Sequence, residues 1–254
     1  MTPSNLKRFV VVAMLFFAVT ACAPSQWKKE QSESHINLGI AYLGSERFTE
    51  ALKELLQAEE FTPRDPQVHY YLGIAYNGKD MTDKAVNEFM QAVSLNPEYS
   101  EAYNFLGMIY LRQGQWDRAI DAFKKALGNM LYVTPDKALF NMGRAYYGKG
   151  DYPAALTQYA EAKRKGPNTI PPALLDHHIG MAVYAQGDYH QASQYFIMAI
   201  EQTPAFHEAR LWLGNCYLKM HDRVRAREAF QAIIKEAAPQ SDLIKEAKKG
   251  LDAI

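Results

Sequence analysis

LGIAYNGKDMTDKAVNEFMQAVSLNP, residues 72–97, decides the fold. Leu72 precedes Gly73, Tyr76 follows three residues after the glycine, Ala85 twelve after it, Phe89 sixteen and Ala92 nineteen, and Pro97 ends the stretch. The same order recurs in both directions along the chain. Its glycines are Gly39, Gly73, Gly107, Gly143, Gly180 and Gly214, at steps of 34, 34, 36, 37 and 34 residues. The alanine twelve places on recurs in all six copies, as Ala51, Ala85, Ala119, Ala155, Ala192 and Ala226. A ring follows at Phe89, Phe123, Tyr159, Phe196 and Phe230, with Leu55 in the first copy. A fixed period of this length fixes the architecture before any local reading does.

The physical content is a pair of helices per period. Glycine and alanine lack bulk, so two helices can approach closely where they cross. Tyrosine and phenylalanine fill the space between neighbouring pairs. Proline at Pro63, Pro97, Pro167 and Pro204 stops the second helix in four of the six copies, because it cannot donate the next backbone hydrogen bond. Turns such as Gly44-Ser45 and Gly187-Asp188 separate the two helices. One pair cannot bury its apolar face alone, so stacking supplies the core.

This order of small, aromatic and proline positions resembles the tetratricopeptide repeat. The resemblance implies an all-α, right-handed superhelical solenoid of six repeats: 32–65, 66–99, 100–133, 136–169, 173–206 and 207–240. Residues 241–254 read as a closing helix, with Ser241 as N-cap and Leu243, Ile244, Ala247 and Leu251 as its apolar stripe.

The amino terminus reads as an address. Lys7 and Arg8 precede an unbroken apolar run, Phe9 to Ala18, too short to span a bilayer and suited to a signal peptide over residues 1–21. Val19-Thr20-Ala21-Cys22 resembles the lipobox of bacterial lipoproteins. That resemblance implies acylation of Cys22 (the palmitate of a lipoprotein) and, with Ala23 rather than aspartate following, retention at the outer membrane with the solenoid in the periplasm. Residues 22–31 are expected to be a short tether. With Cys22 lipidated, only Cys216 remains, two residues after a repeat glycine and read as a core thiol.

Charge and motifs exclude more than they assign. The chain has 28 basic and 28 acidic residues, and without residues 1–21 the balance is 26 against 28. A basic stripe with interleaved aromatics is missing, so no nucleic acid partner is expected. Phosphate loop, paired-glycine dinucleotide turn, nucleophile elbow and HExxH are all absent, so the chain reads as no enzyme, with no cofactor, no metal and no small-molecule substrate. His177-His178 is the one cluster among seven histidines, and neighbours on a helix point about 100° apart.

Function in such a solenoid is expected on the face lined by first helices. By resemblance, the inner positions carry Tyr70, Asn77, Asn104, Met108, Phe140, Arg144, Tyr147, Met181 and Tyr184, with Arg112 beside them. Aromatic anchors with adaptable Met and amide groups suit an extended or helical peptide, and the stripe is read as a protein-binding groove. Packing against neighbouring repeats is the alternative for each residue singly. Ile36 and Ile40 stand where a Lys-and-Asn clamp for a free C-terminal carboxylate would need charged or amide groups.

Two junctions are lengthened. Between the third and fourth repeats leucine replaces the expected proline at position 131 and two residues are added; between the fourth and fifth lies Gly166-Pro167-Asn168-Thr169-Ile170-Pro171-Pro172. The Leu131-Tyr132…Pro135…Asn141-x-Gly143 pattern, in a lipidated six-repeat chain, is similar to the type IV pilus biogenesis lipoproteins known as pilotins. That resemblance implies a non-enzymatic partner of the secretin subunit, targeting or stabilising it at the outer membrane. Two other scaffold roles stay open: an adaptor for outer-membrane protein assembly or periplasmic proteolysis, and a subunit of a polysaccharide or cell-wall export machine.

Overall fold

The computed structural model describes residues 26–165, 169–238 and 241–254, which form helices and turns with no strand among them. The signal peptide, Cys22 and the start of the tether lie outside the described residues, as do Gly166, Pro167 and Asn168 of the second lengthened junction. The helices are α1 (26–44), α2 (Phe48–Phe61), α3 (Pro66–Gly78), α4 (Thr82–Leu95), α5 (Ser100–Arg112), α6 (Trp116–Ala126) and α7 (Pro135–Lys149). They continue as α8 (Tyr152–Lys165), α9 (Pro172–Ala185), α10 (Tyr189–Gln202), α11 (His207–Lys219), α12 (Arg223–Glu236) and α13 (Asp242–Asp252). Two compact units result, one up to Ala102 and the other from Tyr103 to Ile254. In the first, α2 packs on α3 and α3 on α4. In the second, each helix from α6 to α12 packs on the next, and α13 also reaches α11.

The repeat glycine works by absence of a side chain. A Cβ on Gly73 would lie 2.7 Å from the Phe89 ring, and one on Gly107 2.5 Å from Phe123. The distances are 2.4 Å for Gly143 on Tyr159, 2.8 Å for Gly180 on Phe196 and 2.5 Å for Gly214 on Phe230. In the first repeat Leu55 takes the ring's place, 2.7 Å from a Cβ on Gly39. Each ring therefore lies against the backbone of its partner helix, sixteen residues upstream. All five rings are fully buried, as are the six alanines that follow each glycine by twelve. Burying one such ring contributes about 1.5–3 kcal/mol. The last one, Phe230, is also met by Gly250 of α13, at 2.5 Å from a Cβ there. Closure of the array thus reuses the device that builds it. Ser241 caps α13 by accepting from the Leu243 N–H at 3.2 Å.

Each turn between paired helices contains one left-handed residue: Glu46, Asp80, Gly114, Gly150, Gly187 and His221. Gly44 and Gly78 are helical, and the positive φ falls on Glu46 at 56° and Asp80 at 58°. Gly78 is instead small because Phe48 lies across it, 2.3 Å from where a Cβ would be.

The expected tether needs correction. Residues 26–31 are helical and continue into α1. Side chains one turn apart support this, with Gln26 donating to Glu30 at 3.0 Å and Lys29 4.0 Å from Glu33. Trp27 meets Phe61 edge-on at 5.6 Å. The lengthened junction before α7 puts Tyr132 inside and leaves Met130 98 %, Leu131 85 % and Val133 73 % exposed.

Candidate functional site

The stripe expected to face a partner separates into exposed and packed members. In the first unit Tyr70, on α3, is half-buried in a ring cluster, 4.9 Å from Tyr99, 5.1 Å from Tyr71 and 6.0 Å from Phe89. Asn77 is half-buried, one residue before the end of that helix. In the second unit Asn104 and Phe140 are buried, so for these two the packing alternative holds and they are not open groove residues. Asn104 points its amide at Met108 Sδ, 3.8 Å away on the same helix. Phe140 is enclosed because Tyr159 lies 5.8 Å and His178 5.0 Å from it. Met108, Arg112 and Arg144 are exposed, and Tyr147, Met181 and Tyr184 are half-buried.

Three of these residues converge. Arg144, Tyr147 and Met181 line a cavity of about 320 Å³ with Leu111, Trp116, Gly148 and His178. Its walls come from α5, α6, α7 and α9. Repeat register places Leu111, the twelfth position of its repeat, on this face as well, but not Trp116, Gly148 or His178. Gly148 makes the cavity wall possible: a Cβ there would lie 2.9 Å from the Trp116 ring, as Gly78 admits Phe48 in the first unit. A second glycine five residues after the repeat glycine was the available signal, and it is readable only once that contact is known.

The electrostatics are one-sided. Arg144 donates to Asn141 Oδ1 at 3.3 Å, and its guanidinium lies 6.0 Å from the Phe140 ring centre, leaving an exposed cation on an aromatic rim. His178 is neutral: burial first, then His177 and Arg144 nearby, push its pKa down to about 3. Burial does the same to His177, to about 4, against a small opposing pull from Glu208. Burial also raises the Tyr147 hydroxyl. The two histidines lie among rings and do not chelate together; His177 sits 4.9 Å from Phe206 and 5.7 Å from Phe196. Cys216 is fully buried, and burial pushes its thiol up to about 12, well away from reactive thiolate.

The first unit holds a charged cluster that sequence spacing did not reveal. Glu59, His69 and Glu88 bring three possible metal-ligand atoms within 4.8 Å of one another. Both His69 nitrogens face acceptors, Nε2 the Pro63 carbonyl at 3.0 Å and Nδ1 the Glu88 carboxylate at 2.8 Å. Both contacts are favourable only if both nitrogens donate, so the geometry fits an imidazolium, and the Glu88 hydrogen bond is the first cause of its raised pKa. The pair repeats one period earlier as His35 with Glu54, also at 2.8 Å.

Comparison with known proteins fits the helical pairs. Models of the tetratricopeptide repeat match residues 39–80, 80–129, 137–169 and 183–250. A search of curated proteins gives no match. Among solved structures, the chain is similar to pilF of Pseudomonas aeruginosa, with TM-score 0.74 and 18% identity over 87% of this chain and 98% of that one. It is similar to PilW, described as a widely conserved type IV pilus biogenesis factor, with TM-score 0.75 and 19% identity over 84% and 96%. YrrB, described as having an unusual peptide-binding site, matches with TM-score 0.61 and 21% identity over 77% and 97%. At these identities the likeness is one of fold.

Proposed function

Since this chain belongs to the tetratricopeptide-repeat proteins, we propose that it is a non-enzymatic scaffold holding an extended or helical segment of a protein partner on the face of its first helices. One observation carries the reading: that face in the second unit has an apolar, aromatic cavity of about 320 Å³ with the exposed cation Arg144 at its edge. The segment it fits has one large apolar side chain and a neighbouring carboxylate. Rings and Met181 desolvate the anchor, and the guanidinium fork takes the carboxylate. This is recognition chemistry; the only titratable base in the wall besides Arg144 and Tyr147 is a histidine held neutral.

The partner we infer is the secretin subunit in type IV pilus biogenesis, with the scaffold lipid-anchored through Cys22 in the outer membrane and facing the periplasm. Support comes from the lipobox-like Val19–Cys22 stretch and from a fold likeness extending over 98% and 96% of the pilF and PilW chains. Crosslinking in envelope fractions, read by mass spectrometry, tests it. The native chain should capture secretin, and Arg144→Glu about tenfold less, with the melting temperature almost unchanged because the position is exposed. Capture of an assembly factor or protease in place of secretin would overturn the partner, and undiminished capture by the variant would overturn the site. Cys22→Ser should move the protein to the soluble fraction; acyl labelling that survives the change sinks the anchor.

A further inference from the structure

The fourth position of a repeat closes the turn behind it in two repeats. His69 donates to the Pro63 carbonyl at 3.0 Å and faces Glu88; Arg210 donates to the Pro204 carbonyl at 2.9 Å and pairs with Glu236. Each is a cation set between a carbonyl six residues back and a carboxylate of the second helix. In the fifth repeat the sign is reversed, because the residue is Asp176. This is also the repeat that follows the 37-residue step.

Asp176 is 4 % exposed. Its Oδ2 accepts from Gln202 Nε2 at 2.7 Å, and its Oδ1 lies 3.9 Å from the exposed Lys163 ammonium. A second carboxylate, Asp136, is 1 % exposed in the first turn of α7. Its Oδ2 accepts both the Thr169 N–H and hydroxyl at 2.6 Å, and its Oδ1 has no hydrogen-bond partner. Both line one cavity of about 280 Å³, with Lys163, Ala162, Ile170, Pro172 and Leu175. A buried carboxylate oxygen without a donor is strongly unfavourable, and this one belongs to a residue in the cavity wall.

The geometry points to a binding site for an ammonium or guanidinium group on an aliphatic stem: the side chain of a partner's arginine or lysine. The two carboxylates supply the charge. Ala162, Ile170, Pro172 and Leu175 cover the methylenes, as long basic side chains require. A bare divalent cation fits less well, because it needs six or more oxygens and four of the seven lining residues are apolar. Lys163, in the cavity wall, is a weakly held competitor, since its side chain is 68 % exposed and its ammonium is no closer than 3.9 Å to Asp176. The site shares no residue with the cavity at Arg144 and does not depend on it.

Titration of the full chain by calorimetry, with N-acetyl-arginine-methylamide and its neutral citrulline isostere, tests this. The arginine probe should bind about tenfold more tightly than citrulline. Asp176→Asn should weaken it by a similar factor. Lys163→Met should tighten it, a gain that a purely structural acidic pair would not produce. Asp136→Asn and Asp176→Asn each alter a carboxylate that also accepts a structural hydrogen bond, so Lys163→Met and the arginine-against-citrulline comparison decide the outcome, with the melting temperature recorded for each variant. An arginine-containing peptide and free spermidine separate the sources. Binding of the peptide and blocked arginine supports a protein side chain, whereas binding of spermidine alone overturns that source in favour of a free polyamine. Equal binding of arginine and citrulline, or no response to Lys163→Met, overturns the site.

Discussion

Phe123→Ala lowers the unfolding free energy by about 3–5 kcal/mol, the usual cost of emptying a fully enclosed ring site. The site cannot collapse easily, because one of its walls is the backbone of α5 at Gly107. The glycine gives the complementary half. Gly107→Ala gains up to about 1 kcal/mol of helix propensity, yet its methyl would sit 2.5 Å from the ring, and overpacking costs about 1–3 kcal/mol. The double variant should lose less than the two single losses combined, because the new methyl enters the space the ring leaves. Urea unfolding followed by circular dichroism reads all three. Strict additivity would mean that the glycine and ring are not one packing unit.

Acid is the second large effect. His177 has its folded pKa at about 4 and His178 at about 3, both below the ordinary 6.5, with burial the first cause. A histidine with a depressed folded pKa contributes stability that is complete above its unfolded pKa and is lost as pH falls through the folded one. Between pH 6.5 and pH 4 the loss from His177 alone is therefore roughly 3 kcal/mol. Only Glu208 pulls against it, while Arg144 works with burial at His178. His177→Phe should remove much of the acid sensitivity: the Nδ1 it deletes has no partner, and its neighbours Phe196 and Phe206 are rings. An unfolding midpoint unchanged from pH 7 to pH 4 would contradict the assignment. His69 works in the opposite sense. Its folded pKa is raised, so its contribution is present below 6.5 and is lost as pH climbs through the folded value.

The packing unit of the fold was legible because its contacts lie at a fixed sequence offset. Gly73 and Phe89 touch across a helix pair whose turn has constant length, and the pair recurs wherever the spacing does. The candidate site was half legible for the same reason. Register put Arg144, Tyr147 and Met181 on one face, where a cavity joins them. Register could not show that Asn104 and Phe140 are buried, since that depends on how far neighbouring rings reach over them. Nor could it find Trp116, whose place is set by a glycine 32 residues later.

The sequence by itself determined a tetratricopeptide array, because periodic small and aromatic positions admit one way of pairing helices. Tertiary structure alone decided which face residues are open, that Glu46 and Asp80 rather than nearby glycines take the left-handed turn, and that two aspartates share a cavity at the longest repeat step. The physical reason is range. Pairing within a repeat follows local spacing, whereas exposure, neutral histidines and an unpartnered carboxylate arise from what the next helices bring against them.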